Sequence, residues 1–349
     1  MCNKQLDLFG QKEITASQLS EQLSTDTKGV LDLVSEGLKE SFETYDIPFL
    51  GCDFNAVYPA VLAVIPQEQI TFEEFDSNTA VMCEIICAAI CHQINWDFLR
   101  EAVLNQTCKQ PDWLTPQELI NVAESEVRNI LGHYKKKENI KAAERTEMLH
   151  SVGRWAITYC QIIDAFIDGN RTLLPMNRIK SSLKNCEVFR TDPEEKKMNL
   201  LLQKLDLIPS LNGIGQYAKP AIDYHLLRLY LRRGLLYART KYAYDYITSP
   251  EVSRKERTVA ALRELCSKLL SQISMYTGLS ITEVNLVEWH VARSVCDREK
   301  PDCELQGKES QWLKPRFKAC PFCHTCTAWN HSANSLLTVK EPLYKGTSY

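Results

Sequence analysis

Residues 208–234 read Ile208-Pro-Ser-Leu-Asn-Gly-Ile-Gly-Gln-Tyr-Ala-Lys-Pro-Ala-Ile-Asp-Tyr-His225-Leu-Leu-Arg-Leu-Tyr-Leu-Arg-Arg-Gly234. Asn212-Gly213 is a turn signal, and Gly213-Ile-Gly215 sets two residues without side chains close together. A backbone of that kind can approach a phosphate and offer it N–H groups, although a tight turn between helices uses the same residues. Pro220 suits the first turn of a helix, which puts Asp223 within about one turn of the N-terminus. There the helix dipole favours an ionised carboxylate, whether it does chemistry or only caps. From Arg228 to Lys241 stand five basic residues (Arg228, Arg232, Arg233, Arg239, Lys241), two tyrosines and no acid. That stripe is predicted to track phosphates while an aromatic stacks on a base.

Outward from this segment, apolar residues recur at spacings of three and four, glycine is scarce, and strict alternation is almost absent, so the fold class is all-α. Helices are expected over 28–44, 80–104, 141–167, 254–276 and 282–295. Capping boxes at Thr115-Pro-Gln-Glu118 and Asp192-Pro-Glu-Glu195 open two more, and Ser280 with Glu283 begins the helix expected over 282–295. Cys83, Cys87 and Cys91, four apart on the second of these, read as a core face of small hydrophobes rather than as metal ligands. Lys135, Lys136 and Lys137 read as a solvated loop. The division expected is a polar extension (1–27), a helical lobe (28–180), a hairpin and catalytic segment (181–245) and C-terminal helices with a cysteine cluster (246–349).

Composition limits the function. With 41 Lys and Arg against 44 Asp and Glu, the net charge is −3, so nucleic acid must be met by a local basic surface. The longest apolar stretches are broken by polar residues well before the roughly 18 to 20 residues a bilayer span needs, and no membrane partner is expected. The polar start, Met1 to Gln11, lacks a signal-peptide core, so the reading is a cytoplasmic protein, and a monomer.

Fourteen cysteines in a reducing compartment cannot form a disulfide framework. Nine are scattered, and five crowd into Cys296–Cys326. Thiolates at short separations are what a tetrahedral zinc or a [4Fe–4S] cluster requires, so this stretch is read as a metal centre.

The stretch Asp223-Tyr-His-Leu-Leu-Arg-Leu-Tyr-Leu-Arg-Arg-Gly234 resembles the Asp-x-His-x-x-Arg-x-x-x-Arg-x-Gly segment of the helix-hairpin-helix DNA glycosylase superfamily, the endonuclease III relatives. Cys296-x6-Cys303, directly after a helix, and Cys320-Pro-x4-Cys326 resemble that family's Cys-x6-Cys-x2-Cys-x5-Cys cluster, with Glu304–Ala319 inserted between the second and third cysteines. The resemblance implies a two-lobed helix-hairpin-helix fold with a C-terminal metal-cluster loop. It implies a [4Fe–4S] cluster, with zinc as the alternative, on Cys296, Cys303, Cys320 and Cys326. It makes Asp223 the catalytic carboxylate and assigns Gly213 and Gly215 to the hairpin that holds the DNA backbone, beside the phosphate role already read for Arg228, Arg232 and Arg233. Where bifunctional relatives carry a nucleophilic Lys this chain has Tyr217, with Lys219 the nearby challenger, which implies a monofunctional hydrolase.

A string Phe189-x-x-Asp192-Pro-x-x-Lys-Lys197 also resembles relatives acting on oxidised guanine and queuosine-nucleotide salvage hydrolases. Together with His92 and Trp96, Lys197 is a candidate pocket wall, against the plainer reading of a core His and a buried Trp. The function expected is hydrolysis of the bond between a damaged or modified base and deoxyribose in double-stranded DNA. The base is expected to be flipped into a pocket between the lobes, and a bulky phage-type modified base is one specialised substrate. The alternatives are a queuosine-nucleotide-type salvage N-glycosidase and a non-catalytic nucleic-acid-binding module.

Overall fold

The computed structural model describes residues 42–44, 76–159, 176–192, 194–208, 211, 213–238, 256–323 and 326–330. These residues are mostly helical. Their helices are α1 (Ser77–Ile90), α2 (Trp96–Lys109), α3 (Pro116–Asn121), α4 (Glu124–Ile130), α5 (Ala142–Thr158), α6 (Met176–Leu183), α7 (Glu187–Arg190) and α8 (Lys196–Asp206). After them come α9 (Tyr224–Arg233), α10 (Glu256–Thr277), α11 (Ile281–Ser294) and α12 (Thr327–Asn330). One antiparallel pair, β1 (Phe42–Thr44) with β2 (Leu236–Ala238), sets Glu43 opposite Tyr237. The helix expected over 28–44 is therefore corrected at its last three residues, where aromatic and β-branched side chains favour a strand; the rest of it lies outside the described residues. Among the described residues no helix is long and apolar enough to cross a membrane.

The chain divides into two compact units. Among the described residues, the first holds 42–44, 222–238, 256–273, 287–323 and 326–330. The second holds 76–159, 176–192, 194–208, 211, 213–221 and 274–286. The units divide between Ala221 and Ile222, between Ile273 and Ser274 and between Leu286 and Val287, so each draws on separated stretches of sequence.

In the second unit α1 is buried on every side, from Ala80 through Ile90. A helix apolar all round belongs at the centre of its packing, and α1 is contacted by α2, α5 and α8. Cys83 and Cys87 sit in this core, and burial pushes the Cys83 thiol up to about 12. The helix expected over 80–104 is broken instead at Cys91–Asn95, because the Asn95 side chain accepts from Phe98 N at 3.0 Å and starts α2 afresh. Arg145 of α5 secures the break, donating to the carbonyls of Ile90, His92, Asn139 and Ile140.

Capping residues behave as read elsewhere. Thr115 Oγ1 accepts from Glu118 N with Pro116 opening α3. Ser280 and Glu283 exchange bonds at the start of α11. Asp192 Oδ2 accepts from Lys197 N at 2.6 Å, but α8 begins only at Lys196, after Glu195 in a left-handed conformation.

Candidate functional site

In the first unit Asp223 is the N-cap of α9. Its Oδ1 accepts from His225 N at 2.9 Å and Leu226 N at 3.2 Å, and its Oδ2 accepts from Trp289 Nε1 at 2.8 Å. Three N–H groups thus point at one carboxylate that is 9% exposed. Pro220 lies in extended chain before the helix rather than in its first turn, so the capping residue is the aspartate itself. Aromatic rings surround it: Tyr224 lies 4.2 Å from His225, and His225 meets Trp289 edge-on at 6.2 Å. The series continues through His290 to Trp312, with Arg293 over the Trp289 ring at 5.1 Å.

The three arginines expected on phosphates are inside the protein. Arg228 is 1% exposed and donates to Cys296 O at 2.8 Å, to Ala292 O at 2.9 Å and toward His225 Nδ1 at 2.9 Å. Arg232, equally buried, donates to Cys296 O, Asp297 O and Arg298 O, and its NH1 lies 3.5 Å from Cys296 Sγ. Arg233 pairs with Glu288 at 2.8 Å and stacks 4.0 Å over Phe322. The phosphate role read for Arg228, Arg232 and Arg233 is therefore withdrawn. The last carbonyls of a helix have no intrahelical donor, and α9 supplies arginine forks to those at the end of α11. Arg239 and Lys241 lie outside the described residues.

These bonds bring α9 to the cysteines. Cys320 N donates to Cys303 O at 2.7 Å, and Cys326 Sγ lies 3.7 Å from Arg232 O. The thiols share one electrostatic neighbourhood. Burial pushes Cys303 up to about 12, and Cys296, Cys326 and Cys323 push the same way. Burial likewise raises Cys320, reinforced by Cys303, Cys296 and Cys326. Cys323, surplus to a four-thiol set, belongs to the same gathering. Among the described residues no three His, Cys, Asp or Glu side chains stand where one metal ion could join them. The donors gathered are nevertheless thiols alone, the soft set that iron–sulfur clusters and zinc take.

No family model, no curated protein and no solved structure matches the chain.

The remaining expected residues fall in the second unit. Gly213 adopts φ 92° and its N–H goes to Asp206 Oδ1 at 2.6 Å. Gly215 is buried so tightly that a Cβ would stand 2.1 Å from Thr282 Oγ1 and 2.4 Å from Asp206 Oδ2. Both glycines thus serve packing inside this unit, the plainer of their two readings. Tyr217 is 47% exposed, with its carbonyl accepting from Lys180 Nζ at 2.6 Å. Lys219 is exposed, while its backbone is held by Asn199 and Gln203.

His92 and Trp96 are buried, as the core reading has it, and Lys197 is buried with them rather than solvated in the first turn of its helix. Lys197 Nζ donates to Ala89 O at 2.9 Å, and Lys204, two turns on, lies over the Trp96 ring at 5.2 Å. Burial drives the His92 pKa down to about 2, helped by Arg145, Lys197 and Lys141. Glu144 lies 3.3 Å from its Nε2 but makes no hydrogen bond with it, and burial outweighs that carboxylate. A groove of about 550 Å³ in this unit, lined by Phe98, Glu101, Asn105 and His133 among others, contains none of the expected site residues.

Sequence reading missed Trp289, His290 and Arg293. Trp289 reaches Asp223 across 66 positions, so no local spacing points to it. The one available signal was Trp289 and Arg293 four apart on a helix, where they share a face.

Proposed function

We propose that the chain is a DNA N-glycosidase of helix-hairpin-helix glycosylase type, hydrolysing the bond between a modified base and deoxyribose. One arrangement supports the reading. Asp223 is fixed by its own helix and by Trp289 amid aromatic side chains, and the same ten-residue helix carries the arginines that bind the first cysteine turn. As the C–N bond breaks, positive charge develops on the sugar, and a fixed carboxylate stabilises it without reorganising. The surrounding rings offer flat surfaces to a base removed from its stack. Cys296, Cys303, Cys320 and Cys326 would hold a [4Fe–4S] cluster, whose contribution is to tie the cysteine turns together.

The test is incubation with genomic DNAs of differing modification, with mass spectrometry of released bases. Asp223→Asn should lose release by about a hundredfold or more while DNA binding persists, since it removes the charge and keeps the shape. The capping role of Asp223 favours a second reading, a nucleic-acid-binding module without chemistry. Binding by the wild type with no base released from any DNA would decide for that module.

A further inference from the structure

The insertion between the second and third cysteines is built as a rigid platform. Asp302 accepts from Gln306 N and Gly307 N at 2.8 Å each and from Ser310 Oγ. Burial acts to raise its pKa, but those bonds and nearby Lys314 bring it below the usual value. A 3-10 helix, Lys308–Leu313, follows, with Ser310 and Leu313 fully buried. Trp312 is half-buried, its indole N–H donating to Ser294 Oγ at 3.0 Å, its ring edge-on to His290 at 5.9 Å. Immediately beyond this anchor come Lys314, Arg316 and Lys318, all exposed, with no acid between Gln311 and Lys318. None of the three is in an ion pair among the described residues. They contrast with the arginines of α9, which are committed to carbonyls and to Glu288. A protein of net charge −3 that meets nucleic acid must do so locally, and here a fixed aromatic and a run of outward cations stand together.

We infer that the insertion is the DNA-contacting surface of the first unit: Lys314, Arg316 and Lys318 neutralise backbone phosphates, and Trp312 stacks on an unpaired base. This rests on the glycosidase reading only for the choice of DNA as the ligand. Cations give sequence-independent affinity through counterion release, while stacking requires a base outside a duplex.

The experiment is binding of the full-length protein to a labelled duplex, to a single-stranded oligonucleotide of equal length and to polyglutamate, as a function of salt. The Lys314→Gln/Arg316→Gln/Lys318→Gln variant should lower the duplex salt slope by about 2 to 3, at roughly 0.9 per lost phosphate contact. The Lys135→Gln/Lys136→Gln/Lys137→Gln variant, of matched charge change, should leave it as in the wild type. Trp312→Leu should weaken single-stranded binding roughly five- to hundredfold, leave the duplex slope unaltered, and be largely restored by Trp312→Phe. No salt-dependent DNA binding by the wild type, an unaltered slope in the insertion triple, or polyglutamate binding as tight as DNA would each overturn the inference. Base release alongside an unaltered slope sinks this surface and leaves the glycosidase standing. A lowered slope in a protein that releases no base does the reverse.

Discussion

Helix α9 and the insertion both carry three cations within a short stretch, and they use them in opposite directions. Arg228, Arg232 and Arg233 turn inward to carbonyls and to Glu288, whereas Lys314, Arg316 and Lys318 turn to solvent. The difference is set by what needs a donor nearby. The end of α11 and the turn after it present the carbonyls of Ala292, Cys296, Asp297 and Arg298, and planar forks with five N–H groups can serve several of these at once. Beyond Leu313 the chain is exposed, and among the described residues the Lys314, Arg316 and Lys318 side chains make no bond to such an acceptor. Charge density along a sequence therefore marks where cations are, and the unsatisfied acceptors around them decide whether they are structure or surface.

The comparison breaks first at Arg233. Arg233→Ala removes a paired cation from the fully buried Glu288 carboxylate and should cost about 3 to 5 kcal/mol in urea unfolding. Arg233→Met with Glu288→Gln should cost much less; an equal loss in the double variant would mean that packing against Phe322, not charge, is what matters. Arg232→Ala should cost roughly 2 to 3 kcal/mol by stranding carbonyls around the first cysteine turn. It should also lower iron from the wild type's expected content of about four atoms per chain. Full iron in this variant would separate the arginine from the cysteines.

A smaller, pH-selective effect belongs to His92 in the other unit. Below pH 6.5 the unfolded chain takes up a proton that folded His92 refuses until about pH 2. Stability should therefore fall as pH drops through that window, by up to about 1.4 kcal/mol per unit. His92→Gln should flatten the acid limb of thermal midpoint against pH between 6.5 and 5. An unchanged limb would mean that Glu144 stabilises the protonated ring.

What the sequence made legible was local. Ser280 with Glu283, and Thr115 with Pro116, mark helix starts through bonds that span three residues, and both are found as read. The last helices, expected over 254–276 and 282–295, lie within two residues of that at each end. Asp223 was read at a helix N-terminus on the strength of Pro220; the position held while the reason changed, since the aspartate itself supplies the cap. The partners were not legible. Arg145 reaches Ile90 across 55 positions and Arg228 reaches Cys296 across 68, and nothing in a run of basic residues says whether a helix end will fold back onto it. The same blindness hid Trp289, whose role is set by tertiary placement. The break in the helix expected over 80–104 was hidden differently, because Asn95 competes for Phe98 N only once the apolar run has ended.

The two units are interleaved along the chain. Residues 222–273 and 287–323 belong to one, and the stretch between them, 274–286, belongs to the other, so α10 and α11 each contribute residues to both. No single cut in the backbone releases either unit whole: an amino-terminal fragment ending at Ala221 lacks Asn285, whose Oδ1 accepts from Ala221 N and Gln203 Nε2, and Thr282, which packs on Gly215. Proteolysis at one exposed loop should thus nick the protein without producing a stable half. In inheritance, too, neither unit corresponds to one continuous stretch of sequence that could pass as a cassette.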